Sequence, residues 1–163
     1  MKFLQLILLG TYLLAGPSIL FGQKHIPVLN FEQLDPYLHC SDDTLYIINF
    51  WATWCIPCRK ELPVFEKIHQ EYRNQPVKVL LVSLDFPDRI SSSLIPFIRE
   101  KNITAEVVVL NDPNSNAWID RVNPSWSGAL PATLLYRGKT SIFREEQLEY
   151  SDIENLIRII KTK

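Results

Sequence analysis

The sequence predicts an α/β domain with a central mixed sheet flanked by helices. Apolar runs of strand length recur along the chain as LYIINFW, VKVLLVSLD and EVVVL. Segments with apolar residues every three to four positions separate these runs, and ATLLY-RGKT-SIFRE reads as a hairpin around a glycine-containing turn. Strands alternating with helices imply parallel pairing through right-handed crossovers, to which the hairpin adds an antiparallel edge. A chain of 163 residues that is 47% hydrophobic can bury one genuine core. Its 17 Lys and Arg against 18 Asp and Glu include no basic block, so no nucleic-acid partner is expected.

Residues 1–22 stand apart, with Lys2 as their only charge and an apolar stretch over residues 3–21. This is the pattern of an export signal, with Gly22 a suitable last residue before cleavage and Leu20 a poor fit two positions earlier. The expected division is a signal over 1–22 and one domain over 23–163. The alternative is an uncleaved anchor over residues 3–21, since about 20 apolar residues can span a bilayer. A buried N-terminal helix would need an amphipathic pattern, which is absent. The expected location is periplasmic or otherwise exported, with membrane attachment only if the signal stays.

The elements follow in order. VLNFEQLDPYLHC predicts a short helix capped by Asn30, its continuity broken at Asp35-Pro36. Leu45 to Trp51 predicts a strand buried on both faces. From Pro57 onward, Leu62, Phe65, Ile68 and Tyr72 form one helical stripe. Val77 to Asp85 predicts a second strand, and SSSLIPFIREKN a helix capped by Ser91 or Ser92 and bent at Pro96. After EVVVL, Asp112-Pro113 predicts an N-cap and first turn. The last helix is expected to carry a capping box of Ser151 and Glu154, with Ile153, Leu156, Ile157 and Ile160 facing inward.

Within NFWATWCIPCRKELP, Cys55 falls where the first long strand ends and a helix begins. The unpaired amides and positive end of that helix stabilise a thiolate, making Cys55 the nucleophile. Cys58, one turn inside, is placed to attack a mixed disulfide at Cys55 and resolve it. Pro57 starts the helix without wasting an amide donor, and Trp54 shades one side. A purely structural disulfide closing so small a loop would restrict little unfolded-chain entropy. Arg59 after the second cysteine excludes covalent haem attachment, and zinc would need about four ligands where only His39 and Cys40 lie near. No metal and no cofactor are expected.

Glu61 shares a helix face with Cys58. Spacing alone leaves it equally a proton-transfer group or an exposed acid suited to the helix dipole. Asn49, polar within a buried strand, must hydrogen-bond near the site and cannot titrate. Cys40 is the odd cysteine, read as a small buried side chain in preference to a reactive thiol. His25, His39 and His69 are isolated, and no role attaches to them.

NFWATWCIPC, the following RKELP and the distant GALPATLLY together resemble the exported thioredoxin-like proteins of the TlpA/ResA type, which are bacterial thiol:disulfide oxidoreductases. The resemblance runs from about Asn30 to the last helix. It implies a thioredoxin-like fold with an extra αβ insertion between its two halves, and a cis Leu130-Pro131 peptide facing the cysteines. Leu130 and Pro131, with Trp54, would then bind substrate, the Leu130 backbone pairing with a substrate segment. It also implies that Glu61 tunes the site. Asn49 stands where cytosolic thioredoxin has a buried Asp, so proton transfer falls to Glu61 or water. Ile56-Pro57 between the cysteines carries no cation to hold the thiolate strongly, which predicts a reducing site.

The implied function is reduction of disulfides in exported proteins, with a membrane thiol-disulfide donor recharging the dithiol. A copper-binding or copper-delivery protein is the alternative, because two thiolates suit Cu(I), although the only Met is the initiator. A peroxidase of the related peroxiredoxin group ranks last, since Thr53 has the wrong spacing for Pro-x-x-x-Thr/Ser-x-x-Cys.

Overall fold

The computed structural model describes residues 25–162, so the signal expected over residues 1–22, or anchor over 3–21, lies outside the described residues. Six strands form one sheet: β1 (Val28–Leu29), β2 (Leu45–Trp51), β3 (Val77–Ser83), β4 (Glu106–Leu110), β5 (Ala132–Arg137) and β6 (Thr140–Arg144). The helices are α1 (Phe31–Leu34), α2 (Ile56–Glu71), α3 (Ile95–Glu100), α4 (Ser115–Val122) and α5 (Tyr150–Lys161). Spatial order is β1-β4-β3-β2-β5-β6. The four strands β1 to β4 pair in parallel, while β5 runs antiparallel to β2 and β6 antiparallel to β5. The expected mixed sheet and its antiparallel edge are therefore both present.

Strand β2 explains why the core has two halves. Leu45, Ile47 and Trp51 face α2, α3 and α5, whereas Tyr46, Ile48 and Phe50 face α1 and α4. This is the two-residue alternation of a pleated strand, with both faces covered. The hairpin closes over a two-residue turn in which Gly138 takes φ +55°, a left-handed conformation that glycine adopts without a Cβ penalty.

Several ends differ from the sequence reading. Strand β1 is additional: its two residues are too few for periodicity to register, and pairing with Val109 and Leu110 alone defines it. The helix expected to begin at a serine cap begins earlier, as a 3-10 turn over Pro87–Arg89 followed by a π turn over Ile90–Leu94. Pro96 lacks an amide hydrogen and crowds the preceding turn, consistent with a widened ladder in which Ile95 N–H donates to Ile90 O, five residues back. Asp112 does not cap α4. Its carboxylate accepts from Phe31 N (3.1 Å) at the start of α1 and from Asn114 N (3.0 Å), tying two helix starts together. The capping box of α5 is Glu149 with Asp152, and Glu154 instead accepts from the Tyr72 hydroxyl at 2.8 Å. Asn30 does cap α1, with Gln33 completing a reciprocal pair.

Glu66 clasps α2 to the turn before β4. Its carboxylate accepts from Thr104 N (2.8 Å), Ala105 N (3.0 Å), the Thr104 hydroxyl and Gln70 Nε2 (2.8 Å). Burial, the largest single influence, pushes its pKa up, but the hydrogen bonds together outweigh it and hold the carboxyl below its usual value. Glu66→Ala is expected to cost about 2–4 kcal/mol at neutral pH by leaving these donors unpaired. Because the folded pKa is depressed, this stability is present above the unfolded value and lost as pH falls through the folded one. Urea titrations of both proteins at neutral and acidic pH should show the gap closing in acid.

Candidate active site

Strand β2 leads through Ala52–Trp54 into α2, and Cys55 is the N-cap of that helix. Cys55 and Cys58 form a disulfide, with Cα atoms 5.3 Å apart, and Cys58 N–H donates to Cys55 Sγ at 3.3 Å. Cys55 is 6% exposed and Cys58 wholly buried, so approach is to Cys55. Pro57 occupies the first turn, where no intrahelical donor is required. Trp54 and Ile56, on either side of Cys55 in the chain, are 61% and 66% exposed, so apolar surface borders the pair.

The loop before the cysteines is held by Asp85, just beyond β3. Its carboxylate accepts from Thr53 N (3.0 Å), Thr53 Oγ1 (2.5 Å) and Ser83 Oγ (2.8 Å). Thr53, out of register for a peroxidase motif, is engaged in this clasp. On the other side, Phe50 pairs with Ala132 across β2 and β5, which sets the Leu130-Pro131 segment beside the end of β2. The Leu130-Pro131 peptide is cis, Pro131 is buried and Leu130 half-buried. Glu145 holds the preceding loop by accepting from Ser127 N (3.1 Å), Ala129 N (2.9 Å) and the Ser127 hydroxyl.

Glu61 lies one turn beyond Cys58 and is 1% exposed, so it is not the solvated first-turn acid that spacing allowed. Oε1 accepts from Asn49 Nδ2 at 2.8 Å and Oε2 from Leu148 N at 2.9 Å. Burial raises its pKa to about 7, the two hydrogen bonds pull it down, and Glu149 adds a smaller upward push. A carboxyl that changes charge near neutrality beside a dithiol can take and return a proton there. Asn49 is fully buried and also donates to Thr133 Oγ1 at 3.1 Å.

Sequence reasoning missed Thr133, Leu148, Asp85 and Glu145. A hydroxyl within the apolar run ATLLY was the one visible signal, while the others depend on which loops the fold brings together. Cys40 is a free, partly exposed thiol near a cavity of about 460 Å³ at the far end of the sheet. The reading of it as a buried side chain holds only in part: Cys40 packs at the edge of the core on the α1 and α4 face but stays partly exposed, and its Sγ donates to Pro36 O at 3.4 Å. Among the described residues no group of three or more His, Cys, Asp or Glu is gathered to hold a metal ion. No helix among them is long and apolar enough to cross a membrane.

A sheet ordered in this way, with a Cys-x-x-Cys disulfide at the start of α2, defines a thioredoxin-like protein with a redox-capable cysteine pair. The chain belongs to the AhpC/TSA family, whose pattern matches residues 34–142. It is similar to the thiol-disulfide oxidoreductase ResA of Oceanobacillus iheyensis, 38% identical over 61 residues that cover 37% of this chain and 30% of the relative. ResA of Geobacillus kaustophilus is 28% identical over 117 residues, covering 70% of this chain and 62% of the relative. The chain thus spans less than two thirds of the length of these relatives. Its fold matches that of a thioredoxin-related protein from Neisseria meningitidis serogroup B, with TM-score 0.64 and 22% identity over 75% of this chain and 88% of that one.

Proposed function

We propose that the protein is a thiol:disulfide oxidoreductase that reduces disulfides in exported proteins. The observation that carries this reading is the Cys55–Cys58 disulfide at the start of α2, with Glu61 buried one turn beyond it. The similarity to relatives named thiol-disulfide oxidoreductase supports it. In the reduced protein the Cys55 thiolate attacks one sulfur of a substrate disulfide. A mixed disulfide forms and the other substrate sulfur leaves as a thiolate that takes up a proton. Glu61 receives the Cys58 proton, and the Cys58 thiolate then attacks Cys55 Sγ. The Cys55–Cys58 bond closes, the second substrate thiolate departs, and two electrons have passed to the substrate.

Trp54 and the Leu130 backbone are the proposed substrate contacts, with Pro131 shaping that edge and Asn49 and Pro57 in support. The absence of a cation between the cysteines favours the reducing direction. A membrane thiol-disulfide donor would restore the dithiol, in keeping with residues 1–22 as an export signal ahead of a domain over 23–163, or residues 3–21 as an anchor. Cys58→Ser should trap substrates as reductant-sensitive adducts on Cys55. A Cys58→Ser protein that collects no such adducts in cells, where a Cys55→Ser/Cys58→Ser control sets the background, would count against the function.

A further inference from the structure

Asn49, Glu61 and Thr133 form a buried polar chain between β2, α2 and β5, each at most 1% exposed. The two Nδ2 hydrogens of Asn49 serve two oxygens, Glu61 Oε1 at 2.8 Å and Thr133 Oγ1 at 3.1 Å, while Asn49 Oδ1 has no hydrogen-bond partner among the described residues. A primary amide has a donor end and an acceptor end of nearly the same shape, so its partners decide which end faces where. A protonated Glu61 keeps an acceptor oxygen and gains an O–H donor, so the carboxyl fixes the donor end of the amide against itself only while it is ionised. Thr133, directly opposite Asn49 in the β2–β5 register, supplies a second partner that does not change charge.

We propose that Thr133 is a positioning residue for Glu61, its hydroxyl holding the donor end of the Asn49 amide against the carboxylate. This rests on the reading of Glu61 as the proton acceptor. The remaining groups around Glu61 bear on the same balance. Leu148 N–H fixes the other oxygen, Glu149 at the N-cap of α5 opposes ionisation, and Cys58 lies one turn back on α2. Removing the Thr133 hydroxyl leaves one buried N–H unpaired while Glu61 is ionised and frees the amide to turn its acceptor end inward. Both effects disfavour the ionised carboxyl.

The test is the titration of the Glu61 carboxyl carbon by NMR in the oxidised full chain, which reads the inference even if no exchange activity is found. In Thr133→Val the midpoint should rise by about 0.5–1 pH unit, the equivalent of one buried hydrogen bond. Thr133→Ser should restore it, and in an Asn49→Leu background Thr133→Val should cause no further change. Equal midpoints in the native and valine proteins would overturn the proposal, as would an undiminished shift in the Asn49→Leu background. Thr133→Ala gives the same reading should the valine variant fail to fold.

Discussion

A Cys55→Ser protein is expected to lose disulfide exchange, falling at least on the order of a thousandfold to the rate of buffer thiols alone. The serine hydroxyl does not ionise near neutrality, so the positive end of α2 has no anion to stabilise. The substitution is nearly isosteric, and serine caps a helix well, so the fold should survive the loss of function. Rates measured with a reduced protein and a small model disulfide would settle the point. Cys40→Ser is the control, because that thiol lies at the far end of the sheet, and its exchange rate should match the native one. Substantial activity in Cys55→Ser would remove the nucleophile assignment altogether.

Glu61→Gln is the second large effect expected. In the native protein the carboxyl must be ionised to accept the Cys58 proton, so decay of the mixed disulfide should quicken as pH rises through the Glu61 midpoint of about 7. The amide cannot accept that proton. Resolution should slow by about tenfold to a hundredfold, and the limb near neutrality should vanish, leaving only the rise from the thiol's own ionisation. Single-turnover decay of a preformed mixed disulfide across pH measures both quantities. An unchanged pH profile in the glutamine variant would make Glu61 a structural bridge between Asn49 and Leu148 and nothing more.

How much of this site the sequence made legible varies residue by residue. Cys55 and Cys58 were legible because strand, cysteine pair and helix are contiguous, and the helix end acts on its own N-cap. Leu130-Pro131 was reached only through resemblance, since no local pattern links it to cysteines more than 70 residues away. Asn49 was legible as a problem, a polar side chain in an apolar strand, but its partners were not. Thr133 reaches it through strand pairing and Glu61 through helix packing, and both are long-range events. The helix ends diverged for a similar reason: Asp112 and Glu154, plausible caps for their own helices, are drawn to Phe31 and Tyr72 from elsewhere in the chain.

The sequence by itself determined the layered α/β architecture, the course of β2, β4 and α2, and the placing of a cysteine pair at a strand-to-helix junction. Those features arise from periodicity and adjacency, which a linear chain carries directly. Only the tertiary structure decided that Glu61 is buried rather than solvated, and therefore that its charge changes near neutrality. Desolvation depends on what else packs over the carboxyl. Here that cover includes Asn49 of β2 and the Leu148 segment ahead of α5, brought together only when the sheet and its helices close around them.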